Sequence, residues 1–245
     1  MKIDIILTPH DQYNIARVDS RKNAVVIDIL RASSTIVSAL EAGAEKIFCA
    51  QSLEEAFNKK EELVKIMPVE KVLLGGERKG LKVEGFQMGN SPREYMPQTV
   101  KGRTLVISST NGTRAIRNSS QAGRIIVGSF LNARAAADFL LQDNKNIIFY
   151  LAGRENDFSY EDAAGAGAII FCVLSELPGV ELSDSSRMCF QLFKNHKEDL
   201  LDMLRATFHG NYLVTLGLEK DLEFCSRFDV STTVPIVDRQ GWIIP

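Results

Sequence analysis

An aspartate inside an apolar run, followed three residues later by an arginine, is the first feature of this chain able to do chemistry. Asp28 and Arg31 stand in Val25-Val26-Ile27-Asp28-Ile29-Leu30-Arg31. A buried acid is costly unless it is paired or holds a cation. The spacing therefore has two readings: an Asp28–Arg31 ion pair, or a metal-binding carboxylate beside an anion-binding guanidinium. Ser33, Ser34 and Thr35 follow in the first turn of a predicted helix, where backbone N–H groups and the dipole favour anions. A second junction, Thr110-Asn111-Gly112-Thr113-Arg114, comes after the apolar Val106-Ile107. Its glycine permits close approach of the backbone to a ligand, and an ordinary capped turn is the alternative. It matches neither a P-loop nor a dinucleotide fingerprint.

Three further segments carry polar groups in glycine-rich frames. Gly75-Gly76-Glu77-Arg78-Lys79-Gly80 sets one acid and two bases between glycines, as a binding loop or as a solvated turn. Gly85-Phe86-Gln87-Met88-Gly89-Asn90-Ser91-Pro92 holds Asn90 and Ser91 in a rigid glycine/proline loop. Glu161-Asp162 offers either cation ligands or the acids favoured in a helix's first turn. Asp221, Glu223, Asp229 and Asp238 are weaker candidates. Hard oxygen ligands, arginines and small anion-accommodating groups in this mixture suit Mg²⁺ with a phosphorylated or otherwise anionic substrate. None of the three histidines lies in these loops, so a phosphohistidine route would need His10 or His209. There is no DxDx(T/V) motif of the aspartyl-phosphate type.

The elements that must position these loops follow from the apolar periodicity. Met1–Leu7 reads as a first strand and Val25–Leu30 as a second. A helix with Ile36, Val37, Leu40 and Ala44 on one side comes next, and then a strand over Lys46–Ala50. Ser52 and Glu55 form a capping box for the following helix, and Val72–Leu74 is a short strand before a glycine-rich turn. This βαβαβ order predicts an α/β protein, layered α/β/α with a largely parallel or mixed sheet. An offset of 80 residues aligns Val26-Ile27-Asp28 with Val106-Ile107-Ser108 and Ala42-Gly43 with Ala122-Gly123. That internal βα repeat puts Arg31 and Asn111 at equivalent strand-to-helix junctions. Asn146–Gly153 is a further strand. The Ala/Gly-rich helix Ala163–Leu177 implies close packing against another element, since helical glycine costs about 1 kcal/mol relative to alanine. Two or three helices over 185–219 and a strand-and-loop tail complete the reading. With no linker, residues 1–245 are expected as a single compact domain or two intimately packed lobes.

Bulk properties exclude several classes. The 245 residues carry 29 basic and 31 acidic side chains, a net charge of -2, which gives no long-range attraction to nucleic acid. No apolar run is long enough for a membrane helix, and the N-terminal segment lacks a cleavage site. Four cysteines without a CxxC pair imply free thiols in a reducing, cytoplasmic setting. The histidines lack metal-ligand spacing, which argues against zinc. The expected partner is a small anionic substrate, and the small-residue helix leaves a homodimer open.

Taken in order, the loops resemble the 2-phosphosulfolactate phosphatase family. The resemblance runs through Ile27–Thr35, Gly75–Arg78, Gly85–Pro92, Ser109–Ala115, Gly128–Ala133, Glu161–Gly167, Asp221–Cys225 and Val234-Pro235. Two departures, Ala32-Ser33-Ser34 for Ala-Thr-Thr and Ser109 for Thr, keep a hydroxyl. Gly153-Arg154-Glu155-Asn156-Asp157 is richer in charge than the family pattern, which bears on substrate preference. The resemblance implies Mg²⁺-dependent hydrolysis of (2R)-2-phospho-3-sulfolactate to 3-sulfolactate and phosphate, a step in coenzyme M biosynthesis. By the same resemblance Asp28 and Glu77 are the first metal ligands, with Glu161 or Asp162 as additions. Arg31, Arg78, Asn111, Thr113 and Arg114 would hold anionic groups, and Asn90 and Ser91 would position the phosphate or its attacking water. The alternatives are a Mg²⁺-dependent phosphatase of another small phosphorylated hydroxy acid, and a non-catalytic phosphometabolite-binding protein.

Overall fold

Two blocks of parallel strands, sewn together by a short antiparallel hairpin, form the frame of the molecule. The computed structural model describes residues 1–9, 16–155 and 157–245; His10 and Asn156 lie outside them. The strands are β1 (Lys2–Ile6), β2 (Lys22–Ile27), β3 (Lys46–Cys49), β4 (Val72–Arg78), β5 (Leu81–Lys82), β6 (Thr104–Ser108), β7 (Arg124–Gly128), β8 (Asn146–Leu151), β9 (Glu181–Leu182), β10 (Ile236–Val237) and β11 (Trp242–Ile244). The sheet order is β5-β4-β6-β3-β11-β10-β7-β2-β8-β1-β9. Strands β4, β6 and β3 run parallel to one another, as do β7, β2, β8, β1 and β9. The C-terminal hairpin β10–β11 joins β7 to β3 by antiparallel pairing on both sides.

The helices are α1 (Ala32–Glu41), α2 (Leu53–Leu63), α3 (Pro97–Val100), α4 (Gly112–Asn118), α5 (Ala133–Leu141), α6 (Tyr160–Glu176), α7 (Asp184–His196), α8 (Leu200–Ala206), α9 (Phe208–Thr215) and α10 (Glu219–Cys225). The repeat expected at an offset of 80 is visible in the topology. β2-α1-β3-α2-β4 and β6-α4-β7-α5-β8 have the same element order. Each repeat lends its first strand to the other: β6 lies between β4 and β3, and β2 between β7 and β8. The two central strands therefore end at related places, one at Asp28 and the other at Ser109.

Alternation decides the layers. In β2, Val25 and Ile27 pack with Ile169 and Ile170 of α6, and with Ala136 and Leu140 of α5. Ala24 and Val26 face a second core holding Ile36 and Leu40 of α1, Ala115 of α4, and Ile47, Leu105 and Ile107 of the other block. Helix α1 is buried on nearly every side, as a helix between two sheet faces must be. Beyond the second block, Ala56 and Leu63 of α2 cover Val72, Leu74 and Val106. Each block is thus sandwiched between helices, and the two share α1 and α4. Along the ladder β2 and β4 run in opposite senses, yet their carboxyl ends meet. Over the six steps between them, a strand-to-strand twist of roughly 20–25° accumulates to about 120–150°. That nearly reverses one block against the other.

Most local expectations hold. Ser52 caps as expected, accepting from Glu55 N–H at 3.0 Å. The capping box is not closed, because Glu55 Oε2 accepts from Gln51 N–H at 2.6 Å, one residue before the cap. The glycine-bearing helix α6 packs closely on α7, and a side chain at Gly167 would meet the Cys189 carbonyl at 2.0 Å. All four cysteines are free and buried. One boundary differs: Gly75-Gly76-Glu77-Arg78 is not a turn after β4 but its second half. Flanking side chains could not fit there, because a Cβ at Gly76 would lie 2.1 Å from the Ser108 carbonyl of β6.

Candidate active site

Residue by residue, the site grows from the end of β2. Asp28 leaves the strand, and its carboxylate accepts from Ala32 N–H at 3.2 Å, occupying a free donor of α1's first turn. Its own N–H donates to Ser33 Oγ at 2.8 Å. Of its two oxygens, Oδ2 faces Gly112, where a Cβ would come within 2.8 Å of it and 2.8 Å of Ala32 Cβ. The equivalent starts of α1 and α4 therefore abut at Asp28. Glu77 reaches in from β4. Its Oε1 accepts from Thr110 N–H and Oγ1 at 3.1 and 2.9 Å, and its Oε2 from Gly80 N–H at 2.9 Å.

Arg31 does not pair with Asp28. Its Nη1 donates to Asp221 Oδ2 of α10 at 2.6 Å, with both side chains almost fully buried, and its Nη2 donates to the Gly80 carbonyl. The other Asp221 oxygen accepts from Ser91 Oγ at 2.6 Å. Asn90 is buried with Oδ1 unpartnered. Asn111, at the start of α4, makes no side-chain capping bond.

These groups line one cleft of about 290 Å³, walled by Asp28, Leu30, Arg31, Glu77, Lys79, Gly80, Asn90, Ser109, Thr110, Asn111, Arg154, Glu155, His209 and Tyr212. Of the residues singled out from sequence, Asp28, Arg31, Glu77, Asn90 and Asn111 meet in it. The others stand behind or beside it. Arg78 braces the strand ends by donating to Glu77 O and to Ser108 Oγ. Thr113 Oγ1 lies against Ser109, Ser91 serves Asp221, and Arg114 lies near the Tyr150 phenol. Asp162 accepts from Ile29 N–H at 2.8 Å and Gly153 N–H at 3.1 Å, splinting the ends of β2 and β8. Glu161 lines an adjoining cavity that shares Arg154 and His209 with the cleft.

Electrostatically, burial and mutual repulsion work against the ionised form of the carboxyls at and behind the cleft. Burial pushes the Asp28 carboxyl up to about 7, and Glu77 and Glu161 add repulsion, against the Ala32 N–H and Arg31. Burial also raises Glu161, and it raises Asp162 with help from Asp28 and Glu161. His209 is driven the other way, to about 4, by burial and then by Arg31 and Arg154. Among the described residues no three His, Cys, Asp or Glu side chains form a ready-made metal cage. Mg²⁺ commonly takes one or two carboxylates and completes its shell with phosphate and water. Asp28 and Glu77 fit that demand, because both line the cleft and repel each other.

Comparison with known proteins bears on what such a cleft serves. The family model for 2-phosphosulpholactate phosphatase matches residues 9–240. The chain belongs to that family. A probable 2-phosphosulfolactate phosphatase of Carboxydothermus hydrogenoformans is 42% identical over 96% of this chain and 92% of that protein. One from Clostridium acetobutylicum is 40% identical over 96% of this chain and 97% of that protein. The matched region takes in every wall of the cleft, including residues that sequence reasoning passed over. Asp221 ranked only as a weak late acid, though it shares a helical face with buried Cys225, four residues on, and an acid on an apolar face needs a partner. His209, which sequence weighs only for a phosphohistidine route, and Tyr212, which it does not single out, are spaced for one helix face and arrive with α9. Lys79 and Arg154 sat in segments whose charge was noted without a role.

Proposed function

We propose that this cleft hydrolyses (2R)-2-phospho-3-sulfolactate to 3-sulfolactate and inorganic phosphate with Mg²⁺, on the route to coenzyme M. The observation that carries the reading is the meeting of Asp28 and Glu77 with Arg31, Asn90 and Asn111 in one small cleft. Family membership narrows the substrate. Asp28 and Glu77 would hold the metal. When bound, Mg²⁺ supplies charge neutralisation at the phosphoryl oxygens.

The chain's own groups do the rest. Arg31 is held rigid by Asp221 and the Gly80 carbonyl and needs no reorganisation to face developing negative charge. The uncommitted amide of Asn111 is free to donate to phosphoryl oxygens, and the unpartnered Oδ1 of Asn90 is free to accept from the attacking water. One P–O bond forms to water as the ester P–O bond breaks, and the water's proton balances the alcohol released. The test is phosphate release by the purified protein, with Mg²⁺ and with EDTA. Phosphosulfolactate is compared with phospholactate and phosphoglycerate. Fast, EDTA-sensitive turnover of phosphosulfolactate supports the reading. Equal rates on all three remove the sulfonate specificity, and tight binding without phosphate release removes catalysis.

A further inference from the structure

The cleft contains three cationic side chains, Arg31, Lys79 and Arg154, and they are not equivalent. Arg31 is buried and anchored on Asp221 and the Gly80 carbonyl, which assigns its remaining N–H groups to the reacting end of the cleft. Lys79 is exposed on a turn. Arg154 stands apart from both. Its guanidinium carbon lies over Phe208, 4.0 Å from the ring centroid, and its backbone is pinned by reciprocal hydrogen bonds with Asp157 at 3.1 and 2.8 Å. Two acids lie near it. Glu155 is 3.5 Å away with a side chain 76% exposed, so solvent screens that pair strongly. Glu161 is buried, and burial raises its carboxyl while Arg154 draws it down. A ring against the guanidinium carbon holds the group in place by cation–π attraction and leaves N–H groups at its rim able to donate.

Position gives that edge a use. Arg154 and His209 are the residues common to the cleft and the adjoining cavity toward Phe158 and Glu161. They stand at the border of the cleft, whereas Asp28 and Glu77 belong to the cleft alone. A phosphoryl group near those carboxylates points the rest of a three-carbon substrate away from them. The sulfonate, carried on C3, reaches one bond farther from the phosphorylated carbon than the carboxylate carbon does. It is permanently ionised and accepts hydrogen bonds without donating any. A guanidinium, which only donates and is always charged, matches it.

We propose that Arg154 is the specificity-determining residue of the cleft, and that its guanidinium binds the sulfonate remote from the reacting phosphate. This rests on the phosphatase reading above and adds to it the identity of the group that reads the substrate's far end. Phe208 is the positioning residue that holds the guanidinium in place.

The experiment compares wild type, Arg154→Gln, Arg154→Lys and Phe208→Ala on phosphosulfolactate and on phospholactate, which lacks the sulfonate. Binding of 3-sulfolactate and of lactate is measured in parallel by calorimetry. Arg154→Gln is expected to lower kcat/KM for phosphosulfolactate roughly 10- to 100-fold, the worth of one or two charge-assisted hydrogen bonds. Phospholactate should change by less than about threefold, and 3-sulfolactate binding should weaken in step with the first effect. Arg154→Lys should recover only part of the loss, because a point charge lacks the planar fork. Equal losses on both substrates, or unchanged 3-sulfolactate binding, would overturn the assignment. A wild type that binds 3-sulfolactate through Arg154 yet releases no phosphate would sink the catalytic reading while leaving the sulfonate site standing.

Discussion

Asp221 Oδ2 lies 2.6 Å from Arg31 Nη1, and the pair joins the turn after β2 to a helix 190 residues later. Both side chains are at most 3% exposed. Taking away one member of a buried pair leaves the other charge uncompensated, which typically costs about 3–5 kcal/mol. Asp221→Asn keeps an acceptor for Ser91 but loses the charge that balances Arg31. Urea unfolding should show a loss near the lower end of that range. The fraction that remains folded should turn over substrate at least about tenfold more slowly. A change of stability under about 0.5 kcal/mol would show that Arg31 finds its compensation elsewhere.

Asp28 should reveal a conflict between stability and activity. Its native pKa of about 7 lies above the value near 3.9 of an unfolded chain. Between those two pH values the folded protein holds more protons, so stability falls as pH rises, and the full penalty stands above about 7. Asp28→Asn removes the charge while keeping an oxygen for Ala32 N–H. In EDTA at pH 8 the variant should therefore be more stable than wild type by about 1–3 kcal/mol. That gain should vanish near pH 4, and phosphatase activity should be lost at both. A variant less stable than wild type at pH 8 would mean that Asp28 is not held at a cost.

The fold was largely legible because the continuous apolar runs of β2, β6 and β8 and the helical spacing of Ile36, Val37 and Leu40 are local signals. The exchange of central strands between the two repeats was not. An offset of 80 residues reveals likeness, but pairing partners depend on which edge each strand meets, and sequence does not encode that locally. The same limit governs the site. Asp28, Glu77 and Asn111 announce themselves as polar groups at strand ends. Arg78 and Asp162 have the same local signature, yet they turn to Ser108 Oγ and to the N–H groups of Ile29 and Gly153. Whether such a group binds a ligand or braces a strand depends on the residue opposite. For Arg31 that residue lies at Asp221, far beyond any local pattern.

Gly112 gives a steric test of the junction between the repeats. Its hydrogen occupies the space in which a Cβ would lie 2.8 Å from both Asp28 Oδ2 and Ala32 Cβ. Ala32 Cβ is fixed to its backbone and the Asp28 carboxylate is tethered by Ala32 N–H, so Gly112→Ala must separate the starts of α1 and α4. Activity should fall by two orders of magnitude or more, and the midpoint of thermal unfolding should drop. Gly179 supplies the control, since nothing lies within 4 Å of a Cβ built there. Gly179→Ala should be neutral, or stabilising by up to about 1 kcal/mol. Wild-type activity in Gly112→Ala would mean that Asp28 Oδ2 has no role in the reaction.

Glu77 and Asp162 offer a test of the proposed metal site. Both accept backbone hydrogen bonds, but Glu77 lines the cleft while Asp162 uses one oxygen on Ile29 and the other on Gly153. Removing the Asp162 carboxylate exposes two buried N–H groups to an apolar environment, each worth about 1–3 kcal/mol unpaired. Asp162→Ala should therefore lose about 2 kcal/mol or more in urea unfolding. Assayed under conditions where it is folded, it should keep the wild-type Mg²⁺ concentration for half-maximal activity. In Glu77→Gln the amide oxygen can still accept from Thr110 while the amide nitrogen faces Gly80 N–H, so about 1–3 kcal/mol of stability is lost. Here, unlike in Asp162→Ala, the Mg²⁺ requirement rises about tenfold or more. The diagnostic quantity is the shift in Mg²⁺ half-saturation for each variant. An equal shift in both would make Asp162 a ligand despite its two backbone bonds, and no shift in Glu77→Gln would remove Glu77 from the metal's shell.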